Sequence, residues 1–247
     1  MQAYMRHDGC LMAFLVRLLD DPDPAPCGRC ANCTGERLPR TVDDELVRAA
    51  VSYLRRDLRG IKPRAQWAPD AVPGLSGRIK APNLPGMALS VYGDAGWGRD
   101  VQRGRVVDKR FDRVLVDGSL TAIQTRWRPQ PAPEWVTCVP SMSRPGMVEA
   151  VAADLAGRLG IPYVAAITVR AAGAPQAEQH NSAQQLRNAH DKLAVAAGAT
   201  IPAGPVLLVD DIVDSGWTLT MAGALLRDSG SGEVLPFALA AASARDG

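Results

Sequence analysis

The stretch "VLLVDDIVDSGWT", residues 206–218, decides how the C-terminal half of this chain is interpreted. Four apolar residues run directly into two acids, which is typical of a buried parallel strand that ends in polar side chains. A small-residue turn follows, and the apolar-periodic segment after it predicts a helix. Because open parallel sheets bind their ligands at the carboxyl ends of strands, this point is predicted to be a binding site.

The turn and the two acids suit different parts of one ligand. A helix N-terminus presents unpaired N–H groups and the positive end of the helix dipole, so it favours an anion such as phosphate. Gly216 allows close approach of the backbone, and Ser215 and Thr218 add hydroxyl donors. Asp210 and Asp211 suit sugar hydroxyls or Mg²⁺ instead. The pattern predicts a ligand with a phosphate and a diol, and the alternative is an acidic strand end before a capped helix.

Strands and helices alternate around this stretch, which predicts an α/β domain with a mainly parallel sheet. The segment "RVLVDGSL" fits a helix or a strand. Periodicity predicts three further strands, "WVTCVPS", "PYVAAITV" and "VLPFALAAA", and three helices, "RPGMVEAVAADLAGRLG", "SAQQLRNAHDKLAVA" and "TLTMAGALLRDSG". Before this region, residues 4–19 and 42–59 have helical patterns, and the Pro- and Gly-rich residues 60–86 predict a linker or an irregular connection.

Four cysteines near the N-terminus have the spacing of a metal site, Cys10-x16-Cys27-x2-Cys30-x2-Cys33. Zinc in structural sites takes four ligands in a tetrahedron, and Cys-x2-Cys turns supply them compactly. We therefore expect structural Zn²⁺, with His7 as a spare ligand. Disulfides and an iron–sulfur cluster are the alternatives.

The composition is that of an ordinary globular protein: 247 residues, 47% hydrophobic, 22% charged and a net charge of +2. This length fits one large domain or two smaller ones. No apolar run is long enough to span a membrane, and the start does not read as a signal peptide, so a cytoplasmic location is expected. Two basic segments, 36–65 and 99–128, are candidates for contact with DNA phosphates or are solvated faces. The first set to test is Arg55, Arg56, Arg59, Lys62 and Arg64.

Residues 206–218 resemble the phosphoribosyl pyrophosphate motif of type I phosphoribosyltransferases. The resemblance implies that Asp210 and Asp211 hold the ribose hydroxyls, that Mg²⁺ accompanies phosphoribosyl pyrophosphate, and that pyrophosphate is displaced at ribose C1. It implies that the 5'-phosphate is held by Asp214, Ser215, Gly216, Trp217 and Thr218. Asp214 stands where purine enzymes of the family keep an acid that assists proton transfer, while other branches have threonine. Trp217 stands where a small residue is more usual, which would alter access to the turn.

Two other segments agree with this resemblance. The segment "VPSMSRPG", 139–146, resembles the pyrophosphate-binding loop, with Arg144 as its cation; a solvated charge is the alternative. The segment "QQLRNAHDKL", 184–193, resembles the mobile-loop region of the competence-factor-like branch, with candidates Gln184, Arg187 and Asn188. A polar helix face has the same pattern. No nucleobase pocket is apparent in the sequence.

The N-terminal segments "YMRHDGC" and "CGRCANC" resemble the zinc-binding subdomain of RecQ-family ATP-dependent DNA helicases. Long actinobacterial RecQ proteins carry a phosphoribosyltransferase-like domain after this region. The chain lacks a Gly-x4-Gly-Lys-Ser/Thr loop, so it holds no ATPase motor of that kind. The resemblance implies a C-terminal helicase fragment in DNA repair or recombination, with DNA and an upstream helicase motor chain as partners. The rival hypotheses are an active phosphoribosyltransferase and a non-catalytic module that binds a nucleotide or a DNA end.

The expected fold class is therefore α/β, with a small helical zinc-binding module followed by a type I phosphoribosyltransferase-like domain built on a mainly parallel sheet. The expected division is a zinc module at 1–38, a helical or linker segment at 39–86 and the phosphoribosyltransferase-like domain at 87–247.

Overall fold

The structure is a computed structural model that describes residues 2–37, 41–141, 143–170 and 181–242. Its contacts divide the chain into two units, Met1–Val47 and Arg48–Gly247. The helix Asp44–Leu54 begins in the first unit and ends in the second. The three-part division at 38 and 86 stays a prediction.

The N-terminal unit consists of short helices around the cysteines. Helices α1, α2 and α3 span Gln2–Met5, Leu11–Arg17 and Ala31–Thr34. The single helix expected over 4–19 is wrong, because the chain leaves the helix before Cys10, whose thiol caps α2 by accepting from the Ala13 N–H at 3.4 Å. Only Ala13 is buried among the described residues of this unit, so an apolar core cannot account for its stability.

Helix α4 covers Asp44–Leu54, which is shorter than the predicted 42–59. Asp43 accepts a hydrogen bond from the Glu45 N–H at 2.6 Å and so satisfies one free amide at the start of the helix. The chain after the helix turns into strand β1, Arg59–Ile61.

The main sheet has the order β1-β2-β7-β6-β3. Its strands after β1 are β2 Gly86–Ala88, β3 Trp135–Cys138, β6 Val206–Val213 and β7 Val234–Ala241. They are parallel to one another, and β1 pairs antiparallel at the edge. The predicted mainly parallel sheet is confirmed.

A second, two-stranded sheet was not predicted. Strand β4, Ile167–Val169, pairs antiparallel with β5, Leu193–Val195. Of the strand expected over "PYVAAITV", the structure forms Ile167–Val169 as β4, and Tyr163 makes an isolated parallel bridge to Val136 of β3. The helix expected over "SAQQLRNAHDKLAVA" ends at Lys192, where the chain becomes β5.

Helices cover both faces of the main sheet. The remaining helices are α5 Gly98–Arg103, α6 Arg113–Thr121, α7 Met147–Leu159, α8 Ser182–Lys192 and α9 Trp217–Asp228. Adjacent residues of β6 point to opposite sides: Leu207 belongs to the apolar cluster that includes α7, and Leu208 belongs to the cluster that includes Leu186 of α8. "RVLVDGSL" is helical because Asp112 caps it, accepting from the Val114 N–H at 2.9 Å.

Two π-helical turns extend helices of this unit. Gly104–Asp108 follows α5, and Ala122–Trp127 follows α6. The turn Gly104–Asp108 carries Arg105, which lies beside Asp211 of the predicted site. Among the described residues, no helix combines the length and the apolar character that crossing a membrane requires.

Residues 60–86 are irregular but contribute to the hydrophobic core. Ala68, Ala71, Val72 and Ile79 are each at most 6% exposed. Gly86 lies so close to the Pro236 carbonyl of β7 that a Cβ there would collide with the backbone. This segment therefore packs against the sheet at the edge near the predicted site.

Candidate functional site

The two acids lie within β6, which continues past them to Val213, and they have different environments. Asp210 is 7% exposed, and its Oδ1 accepts a hydrogen bond from the Asp211 N–H at 2.8 Å. Burial, followed by the neighbouring Asp211 carboxylate, raises the pKa of Asp210 well above its ordinary value. Asp210 lines a pocket of about 330 Å³ and is therefore the acid available to a ligand there.

Asp211 interacts with an arginine instead. Its Oδ1 accepts from the Ile212 N–H at 2.8 Å, and its Oδ2 lies 3.1 Å from Nε of Arg105. The Arg105 N–H is not aimed at any acceptor among the described residues, so the contact is an ion pair rather than a directed hydrogen bond. Asp211 does not line the pocket that contains Asp210. The expectation that Asp210 and Asp211 hold the ribose hydroxyls stays a prediction.

Arg105 is the site residue that the sequence did not reveal. It belongs to the π-helical turn Gly104–Asp108, more than a hundred positions before the acids. In the sequence it is one cation of the basic segment 99–128, and no local pattern links it to Asp211.

The turn after β6 has the form that anion binding requires. Gly216 adopts φ +78°, which favours glycine, and it precedes α9 without a side-chain cap. Glycine has no side chain that could cap the helix, so Gly216 leaves the N–H groups of the first turn of α9 without a side-chain cap from this position. Asp214, Ser215, Gly216, Trp217 and Thr218 all line the 330 Å³ pocket, so the structure brings the predicted phosphate-binding residues together with Asp210.

Trp217 is a buried packing residue at the start of α9. It is 2% exposed, and its ring stacks on that of Trp67 with centroids 6.4 Å apart and planes 16° from parallel. Its indole N–H donates to Ser182 Oγ at 2.8 Å. These contacts join the turn to the irregular segment 60–86 and to the start of α8.

A second pocket lies beside the same turn. It has a volume of about 300 Å³ and is lined by residues 60–64, 213–216 and 241–242. Residues 213–216 line both pockets, so the turn separates them. The polar side chains that line the second pocket include Lys62, Arg64, Asp214 and Ser215.

The loop after β3 contributes less than predicted to the two pockets. Val139 and Pro140 line the first pocket, whereas Arg144 lines neither and donates to the adjacent Ser143 Oγ at 3.2 Å. Met142 of this loop lies outside the described residues. The structure therefore does not bring Arg144 to Asp210.

The predicted mobile-loop candidates lie on α8. Asn188 lines the first pocket and accepts from Gln184 Nε2 at 2.9 Å. Arg187 donates to the carbonyls of Ala71 and Asp70 at 2.8 and 3.1 Å. Arg187 thus attaches α8 to the irregular segment.

Cys138, at the end of β3, is 3% exposed and lies 3.5 Å from the Tyr163 hydroxyl. Burial raises the pKa of its thiol to about 12. It is therefore a protonated, inaccessible thiol.

The four N-terminal cysteines form a cluster within their own unit. Their sulfur atoms all lie within 4.8 Å of one another, and Cys30 Sγ is 3.9 Å from Cys10 Sγ and 3.5 Å from Cys33 Sγ. A tetrahedron with Zn–S bonds of about 2.3 Å has edges of about 3.8 Å, so the cluster fits zinc. His7 is not part of it.

Backbone N–H groups point at these thiols. Cys10 Sγ accepts from Cys27 at 3.2 Å, and Cys30 Sγ accepts from Leu11 at 3.4 Å. The Leu11 hydrogen bond is the main cause that lowers the pKa of Cys30 to about 6, whereas the hydrogen bond with Cys30 raises the pKa of Cys33 to about 11. Donors of this kind stabilise thiolates, which are the form that binds zinc.

The basic residues proposed for DNA are partly engaged within the fold. Arg55 lies 3.3 Å from Asp100 and 4.2 Å above the Trp97 ring, and Arg59 pairs with Asp57 at 2.8 Å. Arg64 donates to a backbone carbonyl of the turn at residue 215. Arg56 and Lys62 are exposed.

Residues 147–245 match the family model of the phosphoribosyl transferase domain. The matched segment begins with α7 and contains β6, the turn and α9, and this part of the chain has the type I phosphoribosyltransferase fold. No curated protein matches the chain.

Several solved structures are similar to the chain. Adenine phosphoribosyltransferase from Saccharomyces cerevisiae is 21% identical over 53% of this chain and 70% of its own, with a TM-score of 0.36. Purine phosphoribosyltransferase from Pyrococcus horikoshii is 20% identical over 56% and 81%, with a TM-score of 0.37. Adenine phosphoribosyltransferase from Leishmania donovani is 17% identical over 81% and 70%, with a TM-score of 0.39.

Proposed function

We propose that the unit Arg48–Gly247 binds phosphoribosyl pyrophosphate and transfers its phosphoribosyl group to an acceptor. The observation that carries the proposal is the pocket shared by Asp210 and the turn 214–218. It combines a buried carboxylate for ribose hydroxyls with a helix start for the 5'-phosphate.

The transfer step requires the acceptor to approach C1 of the ribose within the first pocket, because the turn separates that pocket from the second. In the transfer, the bond between C1 of the ribose and the pyrophosphate oxygen breaks, and pyrophosphate leaves with the electron pair. A bond forms between C1 and a nitrogen of the acceptor, which loses a proton. Asp214 lines both pockets and is our candidate for that proton.

Mg²⁺ fits this site by the chemistry of its donors. Asp210 offers a buried carboxylate oxygen towards the pocket, and hard cations prefer oxygen ligands. When bound, the ion would neutralise the diphosphate of the substrate. The role of the chain itself is to hold the ribose on Asp210 and the phosphate on the turn.

Calorimetric titration with phosphoribosyl pyrophosphate and Mg²⁺ tests this proposal. The wild-type chain should bind saturably, and the Asp210→Asn, Asp211→Asn double variant should bind at least about tenfold more weakly. Asp228→Asn, at the exposed end of α9, removes a charge far along the helix and should leave binding unchanged. Release of pyrophosphate on adding nucleobases, followed by ³¹P NMR, separates a transferase from a binding module. Absence of binding by the folded wild type would refute both.

We propose as a second candidate that the unit Met1–Val47 is a structural zinc module of the RecQ type, whose parent protein acts on DNA. The cysteine cluster favours it, since its spacing and geometry both fit zinc. Fluorescence anisotropy with DNA at increasing salt tests the DNA role, because phosphate contacts weaken steeply with salt. Lack of binding by the zinc-loaded chain at low salt would count against it.

The same assay addresses binding of a DNA end. A 5'-phosphorylated oligonucleotide that binds more tightly than its 5'-hydroxyl counterpart, with the preference lost on changing Ser215 and Thr218 to alanine, would favour a phosphate turn that senses DNA ends. Equal binding of the two oligonucleotides would count against it.

A further inference from the structure

Arg64 reaches the phosphate turn from the irregular segment 60–86. Its Nη2 and Nε donate to the Ser215 carbonyl at 2.6 and 3.1 Å. Its guanidinium carbon lies 4.8 Å from the centre of the Trp217 ring, which stacks in turn on Trp67. Arg64 is half-buried, and these contacts hold its side chain against the turn on the side of the second pocket.

The carbonyl that Arg64 holds belongs to the peptide between Ser215 and Gly216. In a trans peptide the C=O and the following N–H point in opposite directions. Since the Ser215 carbonyl points at Arg64, the Gly216 N–H points away from it. Gly216 has φ +78° and no Cβ that would restrict rotation of this peptide.

We propose that Arg64 is a positioning residue for the 5'-phosphate: it fixes the Ser215–Gly216 peptide so that the Gly216 N–H serves the phosphate turn. The inference rests on the proposed function, because it assigns a phosphate to that turn. Two donors from one planar group, together with stacking on an indole, suit arginine and not lysine. Arg64 acts from outside the family-matched segment, which begins at 147.

Calorimetry with two probes tests the inference. Ribose 5-phosphate reports on the turn, and pyrophosphate with Mg²⁺ reports on the remainder of the site. Arg64→Gln should weaken ribose 5-phosphate binding about tenfold, which is the size of one hydrogen bond to a charged group, and change pyrophosphate binding less than about twofold. Arg64→Lys, which keeps the charge and one donor, should recover part of the loss.

Arg78→Gln is the matched control, since Arg78 is an exposed cation of the same segment. It removes the same charge and should leave both affinities unchanged. Selective ¹⁵N-glycine labelling adds a readout without ligand: the Gly216 amide resonance should move in Arg64→Gln and stay in Arg78→Gln.

The outcomes separate the two proposals. Equal ribose 5-phosphate affinity in wild type, Arg64→Gln and Arg78→Gln would overturn the positioning role and leave the proposed function intact. If Arg64→Gln lost the same factor of affinity for ribose 5-phosphate and for pyrophosphate, the positioning role would also be overturned, because the residue would then act on the whole fold. Failure of the folded wild type to bind either probe would overturn the proposed function and the positioning role together.

Discussion

Replacing Asp210 by asparagine should make the C-terminal unit more stable and its proposed site weaker. Asparagine has nearly the same shape, and its Oδ1 can still accept from the Asp211 N–H, which lies 2.8 Å away in the wild type. The change removes the ionisable group of a residue that is 7% exposed and lies beside the Asp211 carboxylate. Arg105 offsets the charge of Asp211 more directly than that of Asp210, because it lies 3.1 Å from Asp211.

The sign follows from the raised pKa of Asp210. The folded protein keeps the proton at a pH where the unfolded chain has lost it, so the folded state binds more protons. Wild-type stability therefore falls as the pH rises above about 3.9, the ordinary value for aspartate, towards the raised pKa of the folded state. Asparagine does not titrate, so the stability of the variant does not fall with pH for this reason. We expect the free energy of unfolding of the Asp210→Asn variant to exceed that of the wild type by about 1–2 kcal/mol at pH 7, and to equal it at about pH 4.

Thermal unfolding between pH 4 and pH 8 measures this. A gain of that size should raise the Tm of the C-terminal unit by about 4 °C at pH 7, with Asp228→Asn as the control that removes an exposed charge. The same Asp210→Asn sample should bind phosphoribosyl pyrophosphate at least about tenfold more weakly. A variant that is less stable than wild type at pH 7, or a gain that does not depend on pH, would refute the reasoning.

Four further outcomes follow from the contacts. Removing zinc with a chelator should unfold the N-terminal unit and leave the melt of the sheet unit in place, as followed by circular dichroism; loss of both in one transition would contradict two independent units. Trp217→Ala should destabilise the sheet unit by about 3–5 kcal/mol in urea unfolding, since it empties a buried site, and a cost under about 1 kcal/mol would contradict that packing role. Arg105→Gln should cost about 1–2 kcal/mol in urea unfolding, because it leaves the Asp211 carboxylate without its cation, and an unchanged free energy of unfolding would argue against the ion pair. With the cysteine cluster loaded with zinc, Cys138 should resist iodoacetamide at pH 8 until the chain unfolds, because the pKa of its thiol is about 12; rapid labelling would show an open path to it.

The elements that could be predicted from sequence are those whose signal is local. The buried strand that carries Asp210 and Asp211, the glycine before α9 and the cysteine spacing each lie within a short stretch, and the structure shows the strand, the helix and the cysteine cluster. The α/β fold with a mainly parallel sheet is confirmed for the same reason, since alternating periodicities fix it.

The parts that were missed depend on distant partners. Arg105 reaches Asp211 through a π-helical turn, and the residues around it read as a basic surface. Arg64 also lay in a charge run that suggested DNA, whereas its partner is a carbonyl 151 positions later. The pairing of β4 with β5 was missed because three-residue strands are too short to show a period.

The turn at residues 213–216 lines both pockets. Binding of a ligand in one pocket can therefore change the affinity of the other pocket. If a ligand in one pocket orders the turn, a second ligand in the other pocket binds with a smaller loss of conformational entropy. We therefore expect a ligand of the second pocket to bind more tightly when the phosphoribosyl donor occupies the first, and thermodynamic reciprocity requires that it strengthen donor binding by the same factor. Such coupling would favour simultaneous occupation of both pockets, and Arg64 is the residue whose removal should weaken it.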